Sequence, residues 1–316
     1  MNTKDNSPSV RHVEVPMEHD GQRIDNFLLH ELKGVPRSLI YRILRKGEVR
    51  VNRGRIRPDY RLRQGDQVRI PPLRTPQASS TERPPPQHWV ERLKDAVLFE
   101  NGDVLILNKP TGFAVHKGSG VDFGVIEILR AALSYPYLEL AHRLDRETSG
   151  CLILAKTPGA LEALHTALRE GRMDKRYLGL VKGYWRQGAC EVNVPLRKNV
   201  LRGGERRVEV LADGKPALTT FKPLEIRKRA SLLEISIATG RTHQIRVHAA
   251  HLEYPLAGDD KYGDPLFNRE MAAIGLHRLF LHAHSVMFSL GHRDIAVSAP
   301  LADDLKNVLD CLEDRR

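Results

Sequence analysis

The sequence predicts an α+β protein, in which a small basic domain precedes a larger domain with a mixed, largely antiparallel sheet, flanking helices and a central cleft. Strand-like segments of the larger domain follow one another in hairpins instead of alternating with helices, which predicts antiparallel pairing. A proline-rich stretch separates the two domains. Basic residues are concentrated before it, because residues 21–74 contain 14 Lys and Arg against 5 Asp and Glu.

These patterns divide the chain into four segments. We predict a flexible arm over residues 1–17, a small domain over 18–74, a semi-rigid linker over 75–89 and the larger domain over 90–316. The basic surface of the small domain is the electrostatic signature of a partner with a phosphate backbone.

In the small domain, the spacing of apolar residues predicts two helices followed by short strands. The first helix opens within Gly21–Leu28, and the second runs from Pro36, a favoured first-turn residue, to Gly47, a favoured residue after a helix end. Alternating residues predict strands over 48–52 and 67–70. Six basic side chains are predicted to form an outward-facing basic platform: Arg37, Arg42, Arg45, Lys46, Arg50 and Arg53.

In the larger domain, turn and capping residues mark the ends of the elements. Asn101-Gly102 between two apolar runs is the strongest short hairpin signal in the chain. Thr157 and Gly171 bracket a predicted helix, because Thr-Pro begins helices and glycine ends them. Other helices are predicted near 125–133, from Thr242 and after Pro300, and other strands at 151–155, 177–181 and within 205–237.

The composition excludes several classes of protein. The 316 residues are 41% hydrophobic, which argues against global disorder, and none of the apolar runs reaches the roughly 20 residues of a membrane helix. The residues from Met1 to Arg11 include no apolar signal segment, and the three cysteines are too widely spaced for a disulfide framework. We expect a cytoplasmic monomer. The chain lacks a dinucleotide fingerprint and a phosphate-binding loop, and we expect no cofactor.

The most informative segment is His142–Gly150, which holds two arginines, a histidine and two carboxylates. Asp145 among basic neighbours can act as a general base or a nucleophile, or bind a metal. Metal binding would need further carboxylates in suitable spacing, and a glycosidase would need a second acid across the sugar, a position that Glu147 on the same turn does not reach. A solvated turn with ion pairs is the alternative without chemistry.

Three other segments carry groups suited to a nucleic-acid site. Tyr177, entering an apolar strand, can present its ring to a flat base. Thr239–His248 combines Arg241, His243 and Arg246 near a predicted helix start, where a phosphate is favoured. Basic loop residues complete the set, namely Lys109 and His116. Several histidines follow Thr242, but without a HExxH pattern or a cysteine partner we predict no metal site.

Two resemblances join these motifs. The small domain resembles the S-four-like αL RNA-binding module through its Arg-Ile-Asp-Asn-Phe-Leu opening, its second helix and the following Val-Arg-Val-Asn. From about Leu98 to Pro300 the chain resembles the pseudouridine synthases of the His-Arg-Leu-Asp class. The resemblance rests on five segments in the family's order: Asn108–Gly112, His142–Gly150, Lys175–Val181, Gly240–His248 and Ala257–Gly263.

The second resemblance implies a role for each site residue. Asp145 is the catalytic aspartate, which attacks the sugar or abstracts a sugar proton, and the sequence leaves that choice open. Tyr177 stacks on the target base, Arg246 pairs with Asp145, and Arg143 helps to flip the uridine from its stack. Leu144 and Ile245 shape the pocket. RNA contacts are expected from five more side chains: Arg146, Lys109, His116, Arg241 and His243.

The same resemblance implies isomerisation of uridines in the 23S RNA of the large ribosomal subunit, free or in an assembling subunit. Transfer RNA is the alternative substrate for the same chemistry. A non-catalytic RNA-binding or ribosome-assembly factor would not need Asp145, Tyr177 and Arg246 together. A glycosidase-like hydrolase would need the second acid that the motif lacks.

Overall fold

The computed structural model describes residues 10–32, 35, 37–73, 84–118, 121–200 and 206–313. The chain divides into two compact units, residues 1–84 and residues 85–316. The α+β class predicted from the sequence is confirmed, with helices and sheets in both units.

Within its described residues, the first unit contains a four-stranded antiparallel sheet, two α-helices and a short 3-10 helix (Met17–His19). Its elements are β1 (Arg11–Glu14), α1 (Ile24–Glu31), α2 (Arg37–Arg45), β2 (Arg50–Val51), β3 (Gly54–Arg55) and β4 (Gln67–Ile70), and the strand order is β1-β4-β2-β3. Ile24, Phe27 and Leu28 of α1 pack on Ile40, Ile43 and Leu44 of α2 in a core that excludes solvent. The predicted helices and strands are thus confirmed, although Pro36 lies outside the described residues.

Two boundary predictions need correction. Residues 11–14 do not belong to a loose arm, because β1 pairs with β4 along Val13↔Val68 and its neighbours. The backbone N–H of Val15 also donates to the Asp66 carbonyl oxygen. At the other end of the unit, the predicted linker extended to residue 89, whereas a helix already begins at Gln87.

The second unit is built on one large sheet. Its helices are α3 (Gln87–Lys94), α4 (Val125–Ala132), α5 (Pro158–Arg169), α6 (Gln244–His251), α7 (Pro265–Ala272) and α8 (Asp303–Glu313). Its strands are β5 (Val97–Glu100), β6 (Val104–Lys109), β7 (Glu139–Leu140), β8 (Ser149–Ala155), β9 (Met173–Lys182), β10 (Cys190–Asn193), β11 (Leu196–Val200), β12 (Arg206–Val210), β13 (Leu218–Ile226), β14 (Ala230–Ile237), β15 (Leu281–Leu290) and β16 (Arg293–Ser298).

Within the described residues, ten of these strands form a sheet in the order β10-β13-β14-β9-β15-β8-β6-β5, with β16 beside β15 and β7 beside β8. The β8–β15 pairing is parallel, and the other pairings within this described sheet are antiparallel. Strands β11 and β12 form a separate hairpin. The sheet is therefore mixed and largely antiparallel, as the sequence predicts.

Local sequence signals account for several of these elements. The Asn101 side chain accepts the backbone N–H groups of Asp103 and Val104, both at 2.8 Å, and closes the predicted β5–β6 hairpin. The Thr157 hydroxyl accepts the N–H of Ala160 at 3.1 Å and caps α5, with Pro158 in the first turn. Gly171 follows α5 with a φ of +69°.

Strand β8 lies between β15 and β6 in the sheet, and all seven of its residues are buried. At its start, Gly150 has a φ of +106°, and a Cβ atom there would lie 2.2 Å from the Ala283 carbonyl oxygen. Only glycine permits β15 to approach this closely. The loop that carries Asp145 therefore leads directly into a tightly packed strand pair. Within the described residues, no helix is long and apolar enough to cross a membrane.

Candidate active site

Asp145 lies in the loop between β7 and β8 and lines a pocket with its carboxylate 19% exposed. The loop closes on itself because the N–H of Thr148 donates to the Asp145 carbonyl oxygen at 3.2 Å. His142 fixes its other end, since its Nε2 accepts the backbone N–H of Ile153 on β8. Both ends of the loop are therefore tied to the buried sheet.

A buried lysine joins this loop to the Asn108–Gly112 turn. The Lys109 side chain is 0% exposed, and its Nζ donates to the carbonyl oxygens of Pro110, Phe113 and Arg146 at 2.9, 3.0 and 3.1 Å. The N–H of Gly112 donates to the same Arg146 carbonyl oxygen. The prediction that Lys109 contacts RNA is wrong, because the ammonium group is enclosed by carbonyl oxygens. Burial lowers the pKa of Lys109 to about 7.

Arg246 on α6 lies between two carboxylates. Its Nε and Nη2 donate to Asp259 at 2.7 Å each, and its Nη1 lies 3.8 Å from Asp145 Oδ2. Asp259 is buried and also accepts the N–H groups of Lys261 and Tyr262. Burial pushes the pKa of Asp259 up, but the Arg246 hydrogen bonds and charge outweigh it and leave that pKa below its ordinary value. Arg246 is thus held by Asp259 while it faces Asp145.

His243 is the second group beside Asp145. It precedes α6 in a left-handed conformation, with φ 53° and ψ 21°, at a cost of about 1–3 kcal/mol in backbone strain. Its Nδ1 lies 2.9 Å from the Tyr262 hydroxyl, and its Nε2 lies 3.9 Å from Asp145 Oδ2. The predicted helix from Thr242 begins two residues later, at Gln244.

Tyr177 on β9 lines the same pocket and is 6% exposed. Burial raises its pKa above the ordinary value, and the negative charge of Asp145 adds to this effect. The ring is therefore a neutral phenol at physiological pH, suited to packing against a flat base. Fourteen residues line the pocket: Arg143, Leu144, Asp145, Thr148, Tyr177, Ile237, Gly240, Arg241, Thr242, His243, Gln244, Ile245, Arg246 and Leu281.

The remaining predicted contacts lie in different places. Arg143 is exposed at the pocket, and Arg241 lines it while its Nε donates to the Pro216 carbonyl oxygen. Arg146 is exposed, and its Nε donates to the Gly112 carbonyl oxygen. His116 is exposed but is not a lining residue of the pocket. Within the described residues, no group of three or more His, Cys, Asp or Glu is arranged to hold a metal ion.

In the first unit, the basic platform is exposed where it is described. Arg42, Arg45, Lys46, Arg50 and Arg53 are solvent-accessible, whereas the side chain of Arg37 lies outside the described set. The two-residue turn between β2 and β3 has a positive φ at both Asn52 and Arg53, as in a type I′ hairpin. This turn presents the Arg53 side chain to solvent.

Two residues that support the pocket, Asp259 and Tyr262, were not predicted from the sequence. Both lie in Ala257–Gly263, which the sequence marked as a motif without giving its residues a role. A buried arginine needs a carboxylate partner, and this rule could have identified Asp259, as well as Asp145, as a partner of Arg246.

Fold and pocket together define an α+β enzyme that carries a separate basic binding module. A family model described as RNA pseudouridylate synthase matches residues 103–251, and a model described as S4 domain matches residues 22–68. The chain belongs to the RNA pseudouridine synthase family, whose members are isomerases.

Curated relatives match over the whole chain. "Ribosomal large subunit pseudouridine synthase C" of Escherichia coli O157:H7 is 50% identical over 318 residues, which cover 99% of this chain and 100% of the relative. The protein of the same name from Yersinia pestis is 49% identical over 309 residues, or 97% of each chain. Among solved structures, "Human RNA Pseudouridylate Synthase Domain Containing 4" covers 72% of this chain and 96% of its own, with 21% identity and a TM-score of 0.60, which supports the fold.

Proposed function

We propose that this pseudouridine synthase converts uridines of the 23S RNA of the large ribosomal subunit into pseudouridine. The observation that carries the proposal is the pocket in which Asp145 faces Arg246 and Tyr177. Two further facts support the substrate: the full-length relatives bear a large-subunit name, and the first unit presents an exposed basic platform. We also propose that the protein acts in the cytoplasm, where it would meet this substrate.

Three pocket residues have separate roles in the isomerisation. The uridine is flipped out of its stack, and exposed Arg143 takes its place in the RNA. The neutral ring of Tyr177 packs on the flipped base. Asp145, whose carboxylate lies 3.8 Å from the Arg246 guanidinium, attacks the ribose or removes a ribose proton as the bond to N1 breaks.

The reaction moves a bond within one nucleoside, so the net change needs neither a redox partner nor an energy-rich phosphate. We propose that the protein acts as a monomer without a cofactor. Arg241 and His243 line the pocket, and Arg146 is exposed on the loop that carries Asp145; these three side chains contribute RNA contacts, together with His116 and the basic platform of the first unit.

The proposal is tested by release of tritium from RNA labelled at uridine carbon 5. We expect wild type to release tritium from large-subunit RNA, and Asp145→Asn to reduce release by at least about 10³-fold, because the variant loses the charged carboxylate. Glu147→Gln is the matched control, since it removes a carboxylate from the same loop where the side chain is exposed.

Each outcome separates one alternative. Tritium release from transfer RNA but not from ribosomal RNA would contradict the substrate. No release from either RNA would favour a non-catalytic binding protein. An Asp145→Asn variant as active as wild type would show that Asp145 is not the catalytic residue. Loss of activity in Glu147→Gln would assign the catalytic role to Glu147.

A further inference from the structure

His243 is held in an unusual conformation at the edge of the pocket. It lies between β14 and α6 with a positive φ, an uncommon backbone conformation for a residue other than glycine. Its side chain is 20% exposed and lines the pocket with Nε2 toward Asp145. The strained backbone therefore aims one ring nitrogen at the reacting centre.

The Tyr262 hydroxyl determines which ring nitrogen of His243 carries the proton. This hydroxyl accepts the backbone N–H of Val208 at 2.9 Å and lies 2.9 Å from His243 Nδ1. Burial raises the pKa of Tyr262, so the hydroxyl keeps its proton. Nδ1 lies within hydrogen-bond distance of the hydroxyl and can accept that proton. Nδ1 is then unprotonated, and the neutral imidazole carries its hydrogen on Nε2.

Burial keeps the ring of His243 neutral, while the charges around it act in both directions. Asp145 and Asp259 favour the protonated form, whereas Arg246 and Lys261 oppose it. Burial is the largest effect, and it lowers the pKa of His243 below its ordinary value. The result is a fixed hydrogen-bond donor, Nε2–H, which lies 3.9 Å from Asp145 Oδ2. That separation exceeds a direct hydrogen bond and leaves the donor available to a bound molecule.

We propose that His243 is a further catalytic residue, which donates a hydrogen bond from Nε2 to the O2 carbonyl oxygen of the target uracil while the glycosidic bond breaks. The inference rests on the proposed isomerisation. Asp145 acts on the ribose, and O2 is the carbonyl oxygen next to N1, the uracil atom bonded to the ribose. A donor beside Asp145 therefore meets O2, whereas O4 lies on the far side of the ring.

The donor acts where charge develops. When the bond between N1 and the ribose breaks, its electron pair leaves with the uracil and spreads from N1 onto O2. The hydrogen bond from Nε2 stabilises that negative charge, and the proton stays on His243. The role is independent of whether Asp145 attacks the ribose or removes a ribose proton, because both routes release the same uracil anion. A preorganised donor of this kind acts mainly on the transition state.

The first test compares two replacements of His243 in single-turnover conversion of large-subunit RNA. His243→Phe removes the donor, and we expect a loss of about 100-fold in the rate at saturating enzyme, with little change in RNA affinity. His243→Gln keeps an N–H near the position of Nε2 and should recover most of that loss. His251→Phe is the matched control, because His251 is exposed at the end of α6.

A His243→Phe rate within threefold of wild type would overturn the proposal, and so would equal losses in the Phe and Gln variants. An inactive wild type would instead refute the proposed function, so the two failures are distinguishable.

A second test places 2-thiouridine at the target position, since sulfur is a poor hydrogen-bond acceptor. The ratio of wild-type to His243→Phe rates should fall from about 100 with uridine toward about 1 with 2-thiouridine, because the interaction is already lost from the substrate side. An unchanged ratio would place the His243 contact elsewhere.

A third test observes the protonation of the His243 ring directly. In protein with ¹⁵N-labelled histidine, the ring shifts of His243 should report a proton on Nε2 and none on Nδ1, with the signal assigned by its loss in His243→Gln. Tyr262→Phe should shift the ring toward a mixture of tautomers. A proton on Nδ1 in wild type would overturn the proposal.

Discussion

Acidification should destabilise the second unit, because two of its histidines are buried as neutral rings and a third, His142, is half-buried. His248 lies between the Thr219 hydroxyl and the Val194 carbonyl oxygen, and His282 between the Ser149 hydroxyl and the Ala299 carbonyl oxygen. His142 Nε2 accepts a backbone N–H of β8 and must stay unprotonated to do so. Burial lowers the pKa of each of the three to about 4.

The sign of the effect follows from these pKa values. Each histidine has a pKa near its ordinary 6.5 in the unfolded chain and about 4 in the folded protein. The unfolded state therefore binds more protons between these values, and the free energy of unfolding falls as pH drops from about 6.5 to 4. At pH 5 the loss is about 2 kcal/mol for each histidine, or about 6 kcal/mol together, which is comparable to the whole stability of a typical domain.

Urea unfolding measured between pH 7.5 and pH 5 tests this value. His248→Gln should reduce the pH-dependent loss by about 2 kcal/mol, because the amide can keep both hydrogen-bond partners without titrating. His292→Gln, in the exposed turn between β15 and β16, is the control and should leave the pH dependence unchanged. A free energy of unfolding that stays constant from pH 7 to pH 5 would refute the reasoning.

Two further predictions concern charge. Asp259→Asn should lower the free energy of unfolding by about 3 kcal/mol and reduce kcat, because it leaves Arg246 without its buried partner. The control is Asp260→Asn at the exposed neighbouring residue, which should change neither quantity. Urea unfolding measures the first quantity and tritium release the second. Arg45→Ala should reduce the salt dependence of RNA binding by about 0.7–0.9 in log–log slope, whereas the exposed neutral Gln64→Ala should not. A stable, fully active Asp259→Asn or an unchanged slope in Arg45→Ala would contradict the respective prediction.

Local signals predicted most of the fold because they act within a few residues. The Asn101 turn and the Thr157 cap each form hydrogen bonds to groups no more than three residues away, and both were predicted from the sequence. Strand β1 could not be found in this way, since Arg11–Glu14 is a strand only through its pairing with β4. The pairing that makes residues 11–14 a strand instead of a loose arm joins residues more than fifty positions apart in the sequence.

The same distinction applies to the pocket. The resemblance pointed to Asp145, Tyr177 and Arg246, and the structure places them around one pocket. Lys109 was misassigned because a lysine in a loop usually faces solvent, and only the folded backbone shows that carbonyl oxygens enclose its ammonium group. Tyr262 was missed because its effect on His243 depends on a hydroxyl that also accepts a hydrogen bond from distant β12.

The Lys109 ammonium has a consequence for engineering the enzyme. Because this group binds the Arg146 carbonyl oxygen together with two carbonyl oxygens of its own turn, a second chain segment holds the Asp145 loop in place. The two segments therefore form one transplantable module. A graft of His142–Gly150 into another scaffold would lose its shape unless the Asn108–Phe113 turn and its lysine were carried with it.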